Sequence, residues 1–217
     1  MQDDQFTIKS GLLAVGDGHE IYYQQWGNKD ATPILSLHGG PGSHTKNKHK
    51  NIFDPKKHHV IFFDQRGCGL STATDFLAHN TIDDLVEDII KLKAHLGVSR
   101  THLFGYSWGS TLALYYATKY PASVSKLLIG GIYLGTKEEN DYLFNGGMKD
   151  FAVEAWEHYA SPVPEDKRGD CLAYYSSVIL DSTRTEEDRL SHLISFMKIE
   201  PALISMDSDF YSNQLES

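Results

Sequence analysis

Short apolar runs separated by helical segments constrain this chain most. Pro33 to Leu37 is a short apolar run, as a strand buried on both faces would be, Val60 to Phe63 is a continuous one, and Val124 to Ile132 reads as one more apolar strand. Thr101 to Tyr106 reads as a further strand. Between these runs, Ile82, Leu85, Val86, Ile89 and Leu96 keep helical spacing. Thr81 and Asp84 form a capping-box start for that helix, and Gly97 stops it. A second helix carries Leu112, Ala113, Tyr116 and Tyr120, closed by Pro121. Strands that alternate with helices in this way predict a mostly parallel sheet with helices on both faces. Ahead of them, Leu12 to Val15 and His19 to Trp26 read as a hairpin turned at Gly16-Asp17-Gly18.

In a sheet of this kind the loops at the carboxyl ends of the strands carry the chemistry. Three such loops stand out: His38-Gly39-Gly40-Pro41-Gly42, Asp64-Gln65-Arg66-Gly67-Cys68-Gly69 and Gly105-Tyr106-Ser107-Trp108-Gly109. The last is Gly-x-Ser-x-Gly between a strand and a helix, the signature of a nucleophile elbow with Ser107 as nucleophile. The two glycines after the first strand free backbone N–H groups to face a cavity. The N–H groups of Gly40 and Trp108 are the candidate oxyanion donors. Asp64 and Arg66 are read as shaping their own loop by hydrogen bonds, and Cys68 as a small, unreactive residue.

From Phe151 onward the apolar residues fall on helical faces: Phe151 to Tyr159, Leu172 to Ile179, and Leu190 to Met197 after Thr185-Glu186-Glu187-Asp188. Residues 1–136 are therefore expected to form the N-terminal part of the core. Residues 137–217 are expected to form an incomplete helical cap over the sheet.

Charge and composition narrow the partners. A formal charge of −9 repels phosphate backbones, so nucleic acid is not expected. The polar, acidic start Met1-Gln2-Asp3-Asp4-Gln5 has no signal-peptide pattern, and no apolar run is long enough for a bilayer. Cys68 and Cys171 make no disulfide framework. A cytoplasmic protein is expected. The eleven histidines are scattered without a ligand motif, so neither metal nor cofactor is expected.

The three loops together, with Phe53-Asp54-Pro55, Asn80-Thr81 and Gly130-Gly131-Ile132-Tyr133-Leu134, resemble the prolyl iminopeptidases. These are α/β-hydrolase-fold serine peptidases that remove N-terminal proline. The resemblance covers most of residues 10–135. It implies Ser107 as nucleophile, the Gly40 and Trp108 amides as oxyanion hole, and a peptide with a free N-terminal proline as substrate. It also implies a cap glutamate that binds the substrate amine. Phe196-Met197-Lys198-Ile199-Glu200 stands in place of Trp-x-x-Trp-Glu, which makes Glu200 the candidate. Tyr106 stands where the family pattern has glycine.

One expectation runs against full activity. A serine nucleophile needs a histidine base and an orienting acid. Beyond Ser107 the histidines are His158 and His192, both in helical patterns with no strand before them. The chain is thus expected to stop before the last core strands, with the catalytic Asp and His absent, and to leave peptides unhydrolysed on its own. Rivals are an esterase or other acyl hydrolase on the same fold, and a non-catalytic binding protein with Ser107 as a relic.

Overall fold

Asp17 and Gly18 both adopt positive φ, 54° and 77°. That is the two-residue turn whose twist suits a tight hairpin. It joins strands β1 (Thr7–Gly16) and β2 (His19–Gly27), which pair antiparallel. Next come β3 (Pro33–Leu37), β4 (His59–Phe63) and the two-residue β5 (Thr72–Ala73). Helix α1 (Ile82–His95) follows, then β6 (Thr101–Tyr106), α2 (Trp108–Lys119) and β7 (Val124–Gly130). The computed structural model describes residues 3–199.

The sheet order is β1-β2-β4-β3-β6-β7, with β5 paired to β2. β4, β3, β6 and β7 run parallel to one another, and the β1-β2 hairpin joins β4 antiparallel. All five residues of β4 are buried, as a continuous apolar run in a central strand requires. β7 departs from that expectation. Its only partner among the described residues is β6, and Leu128 is 65% exposed. The apolar run is present, but among the described residues it has a neighbouring strand on one side only.

Both long helices lie on one face. Leu85, Val86, Ile89 and Leu92 of α1 and Leu112, Ala113 and Tyr116 of α2 join one core with Leu35, Leu37, Ile61, Phe63 and Leu103. The alternate residues Ile34, Val60 and Phe62 point the other way and meet Trp26, Phe6 and Phe53. There a short 3-10 helix, Asn47–Ile52, leads into Phe53 in place of a long helix. The Thr81 capping box is formed: Asp84 N–H donates to Thr81 Oγ1 and Thr81 N–H to Asp84 Oδ2.

The chain divides into two compact units between Leu134 and Gly135. The second holds four α-helices among the described residues: α3 (Lys137–Phe144), α4 (Val153–Ala160), α5 (Cys171–Ile179) and α6 (Glu186–Met197). Its core gathers Met148, Tyr159, Val163, Cys171, Tyr175 and Ile199. Among the described residues no helix is long and apolar enough to cross a membrane.

Candidate active site

Because β4, β3 and β6 are adjacent and parallel, the loops that leave their carboxyl ends are neighbours. Register fixes this: Ser36 lies opposite Phe62 and Leu37 opposite Gly105. Ser107 is the residue between β6 and α2. Its backbone sits at φ 55°, ψ −128°, one of three non-glycine residues with positive φ among those described. The flanking glycines are required by contact. A Cβ on Gly105 would lie 2.2 Å from the Gly109 carbonyl oxygen, and one on Gly109 would lie 2.1 Å from that of Leu37. Only glycine lets α2 start this close to β6 and β3.

The elbow is anchored from below. Ser107 N–H donates to Gly130 O at 3.0 Å, and Ser110 Oγ donates to Ser107 O at 2.6 Å. Thr111 Oγ1 donates to Tyr133 O. Ser107 Oγ itself has no hydrogen-bond partner among the described residues. Trp108 is the first residue of α2, so its N–H has no acceptor within the helix. The Tyr106 ring lies over Gly130 and Gly131, where a Cβ on Gly131 would come within 2.9 Å of it. Tyrosine in place of glycine is thus accommodated by the bare backbone after β7.

The Gly39-Gly40 loop comes to the same place. A Cβ on Gly39 would lie 3.4 Å from Ser107 Cβ and 3.9 Å from its Oγ. Gly40 has φ 120°, and a Cβ there would sit 2.7 Å from the Gly42 and Ser43 nitrogens. The candidate oxyanion loop and the candidate nucleophile are therefore in contact.

Behind them lies a polar cluster. Gln65 N–H donates to His38 Nε2 at 2.9 Å, and Gln65 Nε2 donates to the His38 carbonyl at 2.9 Å. Trp108 Nε1 donates to Gln65 Oε1 at 3.0 Å. Burial lowers the His38 pKa, against its bond to the Gly39 carbonyl and the charge of Asp64. Sequence reasoning passed over Gln65, because glutamine carries no charge and no motif.

Asp64 and Arg66 do brace the structure, as expected, though Arg66 does so with a distant partner. Asp64 accepts from Thr45 N–H at 2.8 Å and Leu70 N–H at 2.9 Å. Arg66 forks onto Asp88 of α1 through Nε at 2.7 Å and Nη2 at 2.8 Å. Its Nη1 donates to the His79 carbonyl at 2.7 Å. Neither group is left to handle a substrate. Cys68 donates to Arg66 O at 3.3 Å, and burial pushes its thiol pKa up, so it stays protonated.

His158 is exposed on α4. His192 on α6 bonds the Asp188 carbonyl at 2.8 Å, one turn back on its own helix. Asp150 is exposed at the end of a 3-10 helix, Gly147–Asp150. Glu200 lies outside the described residues.

Strand order and elbow define an α/β hydrolase, and residues 32–167 match the alpha/beta hydrolase fold family. The chain is 36% identical to the proline iminopeptidase of Xylella fastidiosa over 206 residues, 95% of this chain and 66% of that one. It is 42% identical to that of Arabidopsis thaliana over 174 residues, 79% of this chain and 46% of that one. With the enzyme of Neisseria meningitidis the identity is 35%, over 98% of this chain and 70% of that one. The chain thus spans two thirds or less of the length of the first two relatives. Among solved structures, the proline iminopeptidase of Mycobacterium smegmatis superposes with a TM-score of 0.52 at 22% identity, covering 96% of this chain and 66% of that one. An epoxide hydrolase of Vigna radiata gives 0.54 at 17% identity, covering 94% and 72%. Those two likenesses are of fold alone. The chain belongs to the proline iminopeptidase family of α/β hydrolases.

Proposed function

We propose that Ser107 is the nucleophile of a site that releases N-terminal proline from peptides through an acyl-enzyme. Its Oγ attacks the prolyl carbonyl, and the Gly40 and Trp108 N–H groups receive the oxyanion. The serine proton passes to a histidine base and on to the leaving amine. Water then cleaves the ester and restores the serine. Glu200 is the proposed partner of the substrate ammonium, by an ion-paired hydrogen bond. One observation carries the reading: Ser107 holds a left-handed backbone beside Gly39, with a Cβ on that glycine only 3.9 Å from Oγ.

A second observation limits it. No described residue hydrogen-bonds Ser107 Oγ, and a serine without its base is a weak nucleophile at neutral pH. The 217 residues as they stand are therefore proposed to bind prolyl peptides and to turn them over poorly.

The test pairs calorimetric binding of a prolyl peptide with hydrolysis of proline anilide, N-blocked proline anilide and short acyl esters. Ser107→Ala is the control. Binding of the free-amine peptide, weakened by Glu200→Gln, with only residual serine-dependent hydrolysis is expected. A preference for acyl esters would replace the peptidase reading with an esterase. Serine-dependent turnover at ordinary enzymatic rates, about 1–10³ per second, would refute the missing base. It would direct attention to His158 and His192, with Asp150 and Asp188 as partners.

A further inference from the structure

We propose that Gln65 and His38 form a positioning relay that sets both oxyanion donors of the Ser107 site from one buried glutamine. The inference rests on the reading of Gly40 and Trp108 as those donors. Gln65 is 2% exposed and His38 5%, so neither is a surface group that meets its partners by chance.

The argument begins with protons. A backbone N–H can only donate. Since Gln65 N–H points at His38 Nε2 at 2.9 Å, that nitrogen must accept. The imidazole is neutral, consistent with its pKa being lowered by burial, so its one proton sits on Nδ1. Nδ1 lies 2.9 Å from the Gly39 carbonyl oxygen and donates to it.

That carbonyl belongs to the Gly39–Gly40 peptide, whose other polar group is the Gly40 N–H. The peptide unit is planar. In a trans peptide the N–H points opposite to the C=O, so holding the oxygen sets the direction of the Gly40 N–H. Glycine on both sides gives this peptide more rotational freedom than any other pair would. Without a fixed carbonyl the donor would have a wide range of directions.

The same glutamine reaches the other donor. Its side-chain N–H holds the His38 carbonyl at 2.9 Å, and its Oε1 accepts the Trp108 indole N–H at 3.0 Å. Trp108 carries the second proposed oxyanion N–H on its backbone. Gln65 thus bonds to the residue that opens the glycine loop and to the one that follows the nucleophile. Its two ends cannot be exchanged: the amide nitrogen must face the carbonyl and the amide oxygen must face the indole. Gln65 and His38 touch no reacting atom in this scheme and are positioning residues.

The test uses the whole chain with Gln65→Glu, Gln65→Met and Trp108→Phe. Nitrogen-15 NMR of the His38 ring reads the tautomer, and hydrogen exchange reads the Trp108 indole proton. The rate at which a phosphonyl fluoride labels Ser107, with imidazole added to serve as the base, reads the oxyanion hole, because the phosphonyl oxygen takes the oxyanion's place. Expected are the Nδ1–H tautomer and a slowly exchanging indole in the unaltered chain. Gln65→Met should speed indole exchange at least tenfold and slow labelling about 10–100-fold. Gln65→Glu keeps the indole acceptor and loses the donor to His38, so it should protect the indole and still label slowly. Trp108→Phe should slow labelling and leave the tautomer unchanged. If Gln65→Met does not fold, Gln65→Glu and Trp108→Phe decide. An Nε2–H tautomer, or labelling undiminished in folded variants, overturns the relay. An unaltered chain that labels no faster than Ser107→Ala removes the oxyanion hole itself, a failure visible before any relay variant is compared.

Discussion

Replacing Ser107 by glycine should stabilise the fold while removing the proposed nucleophile. At φ 55° and ψ −128° a residue with a Cβ is strained by about 1–3 kcal/mol, and glycine is not. Glycine also loosens the unfolded chain, which takes back about 0.4–1 kcal/mol. Ser107 Oγ makes no hydrogen bond to a described residue, so little is lost with it. The net expectation is a gain of about 0.5–2 kcal/mol. Ser107→Ala keeps the Cβ and the strain, and should stay within about 0.5 kcal/mol of the unaltered chain. The difference between the two variants isolates the strain. Urea unfolding followed by tryptophan fluorescence measures it. Trp26 and Trp108 lie in the first unit and Trp156 in the second, so a Trp156→Phe background makes the signal report the unit that holds Ser107. A Ser107→Gly protein no more stable than Ser107→Ala would refute the argument that strain is stored at the elbow.

Three further expectations concern stability. Asp88→Ala should cost about 3–5 kcal/mol, since it leaves the Arg66 charge buried without its fork; the two side chains are only 0% and 1% exposed. Adding Arg66→Met to that variant should recover much of the loss in urea unfolding, and a double variant as unstable as the single one would count against the ion-pair account. Thr81→Ala removes the N-cap acceptor for Asp84 N–H and should cost about 1 kcal/mol, with a smaller loss for Thr81→Ser. His38 makes stability depend on pH: burial holds its folded pKa below the ordinary value, so below about pH 6.5 the unfolded chain takes up the proton first. Stability from this group is full above that pH and falls as pH drops through it, by at most about 1.4 kcal/mol per pH unit, until folded His38 itself titrates. The urea midpoint should therefore fall between pH 7.5 and pH 5 with a shallower slope in His38→Asn, and a flat midpoint over that range would show that His38 does not take part.

Much of the fold was legible because its signals are local. The five-residue strand Pro33–Leu37 and the caps at Thr81 and Thr185 depend on residues within a few positions of one another. Helix α3 carried the same kind of signal, a capping box of Thr136 and Glu139, and was passed over. Lys137–Phe144 has no fully buried residue, and its apolar side chains Tyr142, Leu143 and Phe144 are consecutive, so no helical spacing marked a face. That helix rests on its cap, on the stacking of Tyr142 on Phe151 and of Phe144 on Phe196, and on the Lys137–Asp141 pair one turn apart. β7 shows the converse: an apolar run announces a strand, but its exposure depends on which strands flank it, and that is not written within the run. The absence of a long helix between β3 and β4 belongs to the same class, because a short 3-10 helix with Phe53 leaves no long periodic pattern.

For the site, the elbow could be read and its support could not. The two glycines around Ser107 answer to contacts made by the elbow itself and by the adjacent strand, and their spacing is fixed in the motif. Gln65 answers to residues 27 and 43 positions away, and Arg66 to one 22 away. Those pairings exist only once β4, β3 and β6 lie side by side in one register. A slip of one residue in β3 would turn every side chain of that strand to the opposite face. Leu35 and Leu37 would leave the helix-covered core, and His38 would leave Gln65. The packing that seats Leu35 and Leu37 in the helix-covered core and Ile34 against the opposite one therefore also sets the hydrogen bonds behind the site. In this chain the precision of the proposed oxyanion donors is a consequence of core packing, carried to them by one uncharged side chain.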